Sequence, residues 1–565
     1  MEVIEKYFDT AFESIEGIKK LRELILTLAM QGKLVPQDPN DPPASKLLKD
    51  VEAEKLRLAK EGKIKSNGPL PPIKPEEVPY ELPKGWEWVR IGEIGIINPR
   101  NEADDSNKAG FVPMPLISEG YSGKCQFEER HWSEVKRGYT HFADGDIGMA
   151  KITPCFENAK SCIFSDLPNG IGAGTTELHI FRNSFNSIVP YFLLYYLKNP
   201  HYISKVVPNM TGSAGQKRVP TLYFSKQVFP LPSIPEQHRI VAKIDQLMAH
   251  CDELEKLHKE RLKKVSDVHR SAINFLLDIS NQENHNKGWR FISKNFVELY
   301  RVKENVGELR KVILQLAMQG KLVPQDPKDP PASELLKDVE AEKLRLAKEG
   351  KIKSNGPLPP IKPEEVPYEL PRGWVWAHFG NIGNIFNGNS INTREKEMKY
   401  TGANGLPYIT TKDVGYGLDV LNYANGVYIP ESEKKFKIAH KGTVLICAEG
   451  GSAGKKCGIT DQDICFGNKL FANELFGGIP SKFLLFFYLT PKFSDFFTEA
   501  MTGIIGGVSI AKFLKLFVPL PPLPEQHRIV AKIDQLMILC DEIEKYIDVA
   551  NSNQTELLNV VMEQV

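Results

Sequence analysis

The chain has 565 residues, 41% of them apolar and 25% charged, with a formal net charge of +1. That length calls for roughly two to four domains of ordinary soluble composition. The near-neutral charge is not the footprint of a protein that holds nucleic acid through phosphate contacts alone. No apolar run approaches the roughly 18 residues that cross a bilayer, so no membrane partner is expected.

The opening MEVIEKYFDT carries acids and no apolar core, so a secretory signal is not expected and the protein should be cytoplasmic. The 8 cysteines form no CxxC pair and read as reduced, buried thiols, with Cys251 and Cys540 at matching places on helix faces. Residues 12–32 space Ile15, Ile18, Leu21, Ile25, Leu28 and Ala29 three or four apart, which predicts a helix with one apolar stripe. A turn-rich VPQDPNDPPAS follows, then a short charged helix ending at Gly62. GPLPPIKPEEVPYELP is too rich in proline for a helix or a central strand, and should run as a stiff, extended linker.

From Trp86 to about Pro232 the pattern changes to short β-type runs broken by Gly and Pro, with one helix at PYFLLYYLKN. Pro235 then opens a helix of roughly 45 residues, whose seam runs Ile240, Ile244, Leu247, Cys251, Leu254, Leu257 or His258, Leu262, Val265, Val268, Ala272 and Leu276. A helix from about Phe296 carries Leu309, Ile313 and Leu316, and from there the sequence repeats itself. Residues 317–374 match 29–86 at all but three positions, where Asn40, Lys46 and Lys84 face Lys328, Glu334 and Arg372. A second β-rich body runs from Trp374 to Pro521, and a last helix begins at Pro524 with Ile529, Ile533, Leu536, Cys540, Ile543 and Ile547 in its seam. A repeat this long is a tandem duplication of a large unit, not a solenoid.

The boundaries that follow are 1–85 for the first helices and proline-rich linker, and 86–232 for the first β-rich body. Residues 233–373 hold the central long helix and the second copy of helices and linker, 374–521 the second body, and 522–565 the final helix. The two bodies differ widely yet share landmarks, FLLYYL against FLLFFYL and NMTGSAGQKRVPTLYF against AMTGIIGGVSIAKF, so they should share a fold. The expected class is α+β: two β-rich domains joined by long antiparallel coiled-coil helices in a pseudo-two-fold tandem duplication.

Catalytic signatures are missing. GGSAGKK from Gly450 lacks P-loop spacing, GIGAGTT near Gly172 is not a dinucleotide fingerprint, and no amino-methyltransferase Asn/Asp-Pro-Pro-Tyr/Phe or metal-ligand spacing occurs. His238 and His527 sit at helix starts without a nucleophile nearby and read as structural. The informative residues are on loops. Lys151, Thr153, Gln216, Lys217 and Arg218 in the first body, and Thr410, Thr411, Lys412, Lys455, Lys456, Asn468 and Lys469 in the second, are the side-chain types that read base edges and phosphates.

The LPKGWEWVRIGEI start of one body, LPRGWVWAHFGNI of the other, and PLPxxPEQHRIVAKID leading twice into a long helix resemble the specificity subunit of type I restriction–modification systems. The AMQGKLVPQDP blocks resemble one branch of that family. The resemblance covers essentially the whole chain. It implies two target recognition domains, each reading half of a bipartite, asymmetric site in double-stranded DNA. It further implies helices that dock two modification subunits, with restriction subunits joining them. No catalysis and no cofactor are expected on this chain; S-adenosylmethionine, ATP and Mg belong to its partners. Two rival readings are a two-headed scaffold for proteins or glycans and a fused methyltransferase or nuclease.

Overall fold

A computed structural model describes residues 12–62, 64, 70–213, 215–278, 281–353, 356–502 and 506–563. Expectations for the opening MEVIEKYFDT, for Gly68 and Pro69, and for Ala214 fall outside these residues. The chain forms two compact units. The first takes residues up to Arg261 together with those from Asn551 onward; the second is Leu262–Ala550. Among the described residues no helix is long and apolar enough to cross a membrane.

In the first unit, helix Ile15–Met30 begins at Ser14, whose hydroxyl accepts from Gly17 N (3.0 Å) and satisfies one of the free amides of the first turn. Its apolar surface is wider than one stripe. Ile18, Ile25, Leu26, Ala29 and Met30 pack on the first β-rich body, while Leu24 packs with Phe12 and Leu558. Helix Ala44–Lys60 buries only Ala44 and Val51, leaving most of its charged surface in solvent.

The proline-rich segment differs from a free linker. It holds a short 3-10 turn at Pro75–Glu77 and is fastened along the body as a strap. Tyr80 Oη donates to Met30 O (2.8 Å), and the buried Arg90 guanidinium donates to Pro71 O (2.7 Å), Pro72 O (3.1 Å) and the Glu77 carboxylate (2.8 Å). Proline supplies this arrangement well: it cannot donate a hydrogen bond, but its carbonyl accepts one.

The first body is closed at its base by Glu87–Arg90 paired antiparallel with Val228–Leu231. Above it stand two four-stranded sheets. One orders its strands Ile96–Ile97, Leu178–Arg182, Ile147–Ala150, Ser161–Ile163; the other orders Glu128–His131, Lys108–Val112, Ile171–Gly174, Thr140–Ala143. In the second sheet Lys108–Val112 runs parallel to Ile171–Gly174, and the remaining pairs are antiparallel.

The second unit repeats this topology strand for strand. Val375–His378 pairs with Phe517–Leu520 at the base. The sheets run Gly383–Asn387, Leu470–Leu475, Val444–Cys447, Cys457–Ile459 and Tyr428–Ile429, Leu406–Ile409, Ile464–Phe466, Ile438–Ala439, again with one parallel pair, Leu406–Ile409 beside Ile464–Phe466. The expected common fold is therefore present despite the divergence in sequence.

The two copies of the repeated block make the same contacts. Trp86 Nε1 donates to Glu236 Oε2 and Trp374 Nε1 to Glu525 Oε2, both at 3.0 Å. Arg239 pairs with Asp41 (2.7 Å), and Arg528 with Asp329 (2.6 Å). Tyr368 Oη donates to Met318 O (2.9 Å), as Tyr80 does to Met30. These contacts tie strap, body and long helix into one piece in each unit.

The long helices are Ile234–Leu277, with 44 residues, and Leu523–Glu563, with 41. The expected unbroken seam is not what the first one shows. Ile240, Ile244, Met248 and Cys251 are buried against the first unit's core, and Ala272, Ile273 and Leu276 in the second unit's core. Leu254, Leu257, Leu262 and Val268 between them are exposed. Heptad spacing marks a face that can be covered; two separate cores cover its ends. The helix expected from Phe296 is also interrupted, as a single turn Phe296–Leu299 followed by Lys303–Met318, and a further helix, Gln282–Lys294, precedes it.

Candidate nucleic-acid interface

In the first body the strand Ile147–Ala150 leads directly into Lys151, whose amide donates to Glu177 O (2.9 Å) and whose carbonyl accepts from Val219 N (2.8 Å). Two residues on, Thr153 N donates to Lys217 O (3.0 Å), and Lys217 N donates back to Thr153 Oγ1 (3.2 Å). Arg218 N and Thr211 O close the returning loop at 2.7 Å. Lys151, Thr153, Gln216, Lys217 and Arg218, separated by more than 50 residues in sequence, are thus brought to one end of one sheet.

Their availability differs. Arg218 is bound at Nε and Nη2 to both oxygens of Glu177 (2.8–3.1 Å), which holds the Glu177 carboxyl below the usual carboxylate range. Lys217 and Gln216 are exposed and Lys151 is half-buried; neither lysine has an ion pair among the described residues. Beneath them His179 is buried and pushed down to about 4 by desolvation. Its Nε2–H therefore donates to Val219 O (2.7 Å) as a neutral ring, while Nδ1 faces Asn98 Nδ2 (3.4 Å), so it props up the base of the returning loop.

In the second body the same end carries a different set, drawn from the ends of both sheets. Ala448 takes the place of Lys151: its amide donates to Lys469 O (2.8 Å) and its carbonyl accepts from Val508 N (3.0 Å). Gly467 N donates to Ile409 O (2.9 Å), which brings Asn468 and Lys469 beside Thr410, Thr411 and Lys412. Lys456 Nζ donates to Thr411 O (3.1 Å), closing the cluster. Thr410 is committed internally, since Asp413 Oδ2 accepts from both its amide (2.8 Å) and its hydroxyl (2.6 Å). Lys412, Lys455, Asn468 and Lys469 are exposed. All seven residues singled out in this body converge.

Sequence reading missed Glu177, His179 and Asp413, which shape these loops. Asp413 carries a signal of its own, since an Asp following TTK is the composition of a side-chain-capped turn. The partnership of Glu177 with Arg218 has none, because 41 residues separate them. His238 and His527 lie exposed on the first turns of the long helices. All 8 cysteines are free thiols, six of them buried.

The model of the type I restriction modification DNA specificity domain matches the chain twice, at residues 83–264 and 371–549. The chain is 42% identical to the specificity subunit of the type I restriction enzyme EcoAI from Escherichia coli, over 97% of this chain and 93% of that one. It is 40% identical to the EcoEI specificity subunit from the same organism, with the same coverage. Among solved structures, the HsdS subunit from Thermoanaerobacter tengcongensis is 20% identical with a TM-score of 0.43, covering 86% of this chain and 98% of that one. The protein belongs to the type I restriction–modification specificity subunits and carries two copies of their DNA specificity domain.

Proposed function

We propose that each body reads one half of a bipartite, asymmetric target in double-stranded DNA, through the loops at the shared end of its sheets. The carrying observation is that one topology presents two different sets of polar and cationic side chains at the same end of each body: Lys151, Thr153, Gln216 and Lys217 in the first unit, and Lys412, Lys455, Lys456, Asn468 and Lys469 in the second. Equal scaffolds with unequal tips suit a target whose halves differ. Phosphate contacts from the lysines position the duplex, and the remaining side chains meet base edges.

The repeated block supports the partner half of this reading. Helices Ala44–Lys60 and Ala332–Lys348 differ only at Lys46 and Glu334, although most of their residues are exposed. Leu56 and Leu344 stand 58% and 57% exposed at the same place in each. The sameness follows from the duplication; its consequence is two alike exposed surfaces, which suit two copies of one partner, the two modification subunits. S-adenosylmethionine is bound there, and ATP and Mg on the restriction subunits that complete the complex. This chain supplies recognition and no catalysis, in the cytoplasm where its DNA lies. Sequencing methylated sites in cells that express the chain with its modification subunits tests the reading. A bipartite motif with two different halves is expected, and a continuous or palindromic motif contradicts it.

A further inference from the structure

Resting on that reading, the structure assigns a base-reading element to the second body that none of the cationic loops contains. After Lys412 the chain runs along the edge strand Cys457–Ile459, where Cys457 N donates to Gly415 O (3.2 Å) and Tyr416 bridges to Cys457. The segment is firmly built. Tyr416 N donates to Asp419 Oδ2 (3.3 Å), Asn422 N donates to Asp413 O (2.9 Å), and Leu421 is buried. Gly417, at φ +141°, sits against Leu489, where an added Cβ would lie 3.1 Å from its side chain.

Yet this ordered loop points three apolar side chains into solvent. Tyr416 is 66% exposed, Leu418 51% and Val420 80%. Lys456 holds its ammonium 5.3 Å from the centre of the Tyr416 ring and donates to Thr411 O, so the ridge begins inside the cationic cluster. The matching segment of the first body, residues 113–127, exposes one large apolar side chain, Phe127 at 36%, and otherwise turns its apolar side chains inward. Its Met114, Leu116, Ile117 and Tyr121 are buried or half-buried, and the buried Lys198 ammonium anchors it by donating to Gly120 O (2.5 Å). The ridge therefore belongs to one body and not to the shared fold.

An apolar ridge on an ordered loop, flanked by lysines, matches a DNA groove: phosphates on its rails and apolar base surface within. Association gains most from side chains already held in place, and the apolar feature of a base edge is the thymine C5-methyl in the major groove. We infer that Leu418 and Val420 contact thymine methyl groups in the half-site of the second body, with Tyr416 and Lys456 holding the ridge against the backbone. Asp419 also faces solvent, and its carboxylate is engaged by the Tyr416 amide.

The test uses the full chain reconstituted with its modification subunits, comparing wild type with Leu418→Ala/Val420→Ala; both positions are exposed, so folding is spared. The expected result is relaxed discrimination of about tenfold at one or two positions of one half-site, with the other half-site unchanged. Replacing thymine by deoxyuridine at the relaxed position should reproduce the loss in the wild type. An unchanged motif overturns the inference, including the case in which the variant merely releases a modification subunit; so does a wild type indifferent to deoxyuridine. Lys412→Ala/Lys455→Ala serves as the reference. If it weakens DNA binding while the ridge variant changes nothing, only this inference fails; if neither matters, the DNA-facing assignment of these loops fails with it.

Discussion

Arg218 and Glu177 form a two-sided ion pair at the end of the first body's sheet, with Nη2 to Oε1 at 2.8 Å. The pair means that the adjacent cations Lys217 and Arg218 are not equivalent. Lys217 is free to meet a phosphate, whereas Arg218 is occupied in holding the loop. Lys217→Ala should reduce the slope of log affinity against log salt by about 1. Arg218→Ala should weaken binding by loosening the loop, with a smaller change in slope. Binding measured at four or five salt concentrations separates the two, and equal slopes would contradict the assignment.

The same pair sets a pH dependence. Because Arg218 lowers the folded-state pKa of Glu177, its contribution is present above the ordinary glutamate value, about 4.3. It is lost as pH falls through the depressed folded value. The protection factors of the Thr211 and Arg218 amides, which bond across the loop, should therefore hold at neutral pH and fall only in acid; Glu177→Gln should abolish that acid dependence.

Trp86 with Glu236, and Trp374 with Glu525, place a carboxylate in a buried setting where one oxygen accepts the indole N–H. Burial raises both carboxyls above the ordinary glutamate range. A raised folded pKa contributes stability at low pH that fades as pH rises through it. Glu236→Gln keeps an oxygen acceptor and removes the charge, so it should leave stability unchanged or improve it. Glu236→Leu orphans the Trp86 N–H and should cost about 1–3 kcal/mol. Thermal unfolding at neutral pH distinguishes these outcomes.

Arg90 and His378 do one job with different chemistry. Arg90 fastens the first strap at Pro71 O, and His378 Nε2 lies 3.0 Å from Pro359 O in the second while its Nδ1 lies 2.7 Å from Lys515 O. An imidazole has at most two N–H donors, whereas guanidinium has five. His378→Arg should be accepted and tighten the second strap; His378→Ala should free it, seen as faster proteolysis within residues 356–370 and a cost of about 1–3 kcal/mol.

Gly288 lets helix Gln282–Lys294 lie directly on the end of the long helix. A Cβ there would sit 2.5 Å from Leu276 N and 2.8 Å from Ala272 O, both backbone atoms that cannot turn aside. Gly288→Ala should push the helices apart and cost about 1–3 kcal/mol, as overpacking does, despite alanine's higher helix propensity. A variant as stable as the parent would contradict this packing.

Much of this architecture is legible in the chain itself, and the reasons are physical. Helix seams show as three-and-four spacing, and the repeated block states its own duplication. Cations on Gly-rich loops mark places where backbone can approach a phosphate. What stays hidden depends on contacts between distant residues. Nothing local says that Glu177 occupies Arg218, that Arg90 turns a proline-rich linker into a fastened strap, or that Leu254 and Leu257 stay exposed within an otherwise regular seam. Helix Gln282–Lys294 is hidden for a related reason: its composition is mostly polar, and a close glycine contact seats it.

The central claim is that each body specifies its own half of the target. Replacing residues 87–229 with the corresponding body of another specificity subunit, and mapping methylated sites in cells carrying the modification subunits, tests it most directly. The account predicts a motif in which one half changes and the other half is retained base for base. A motif altered in both halves, or in neither, would contradict it.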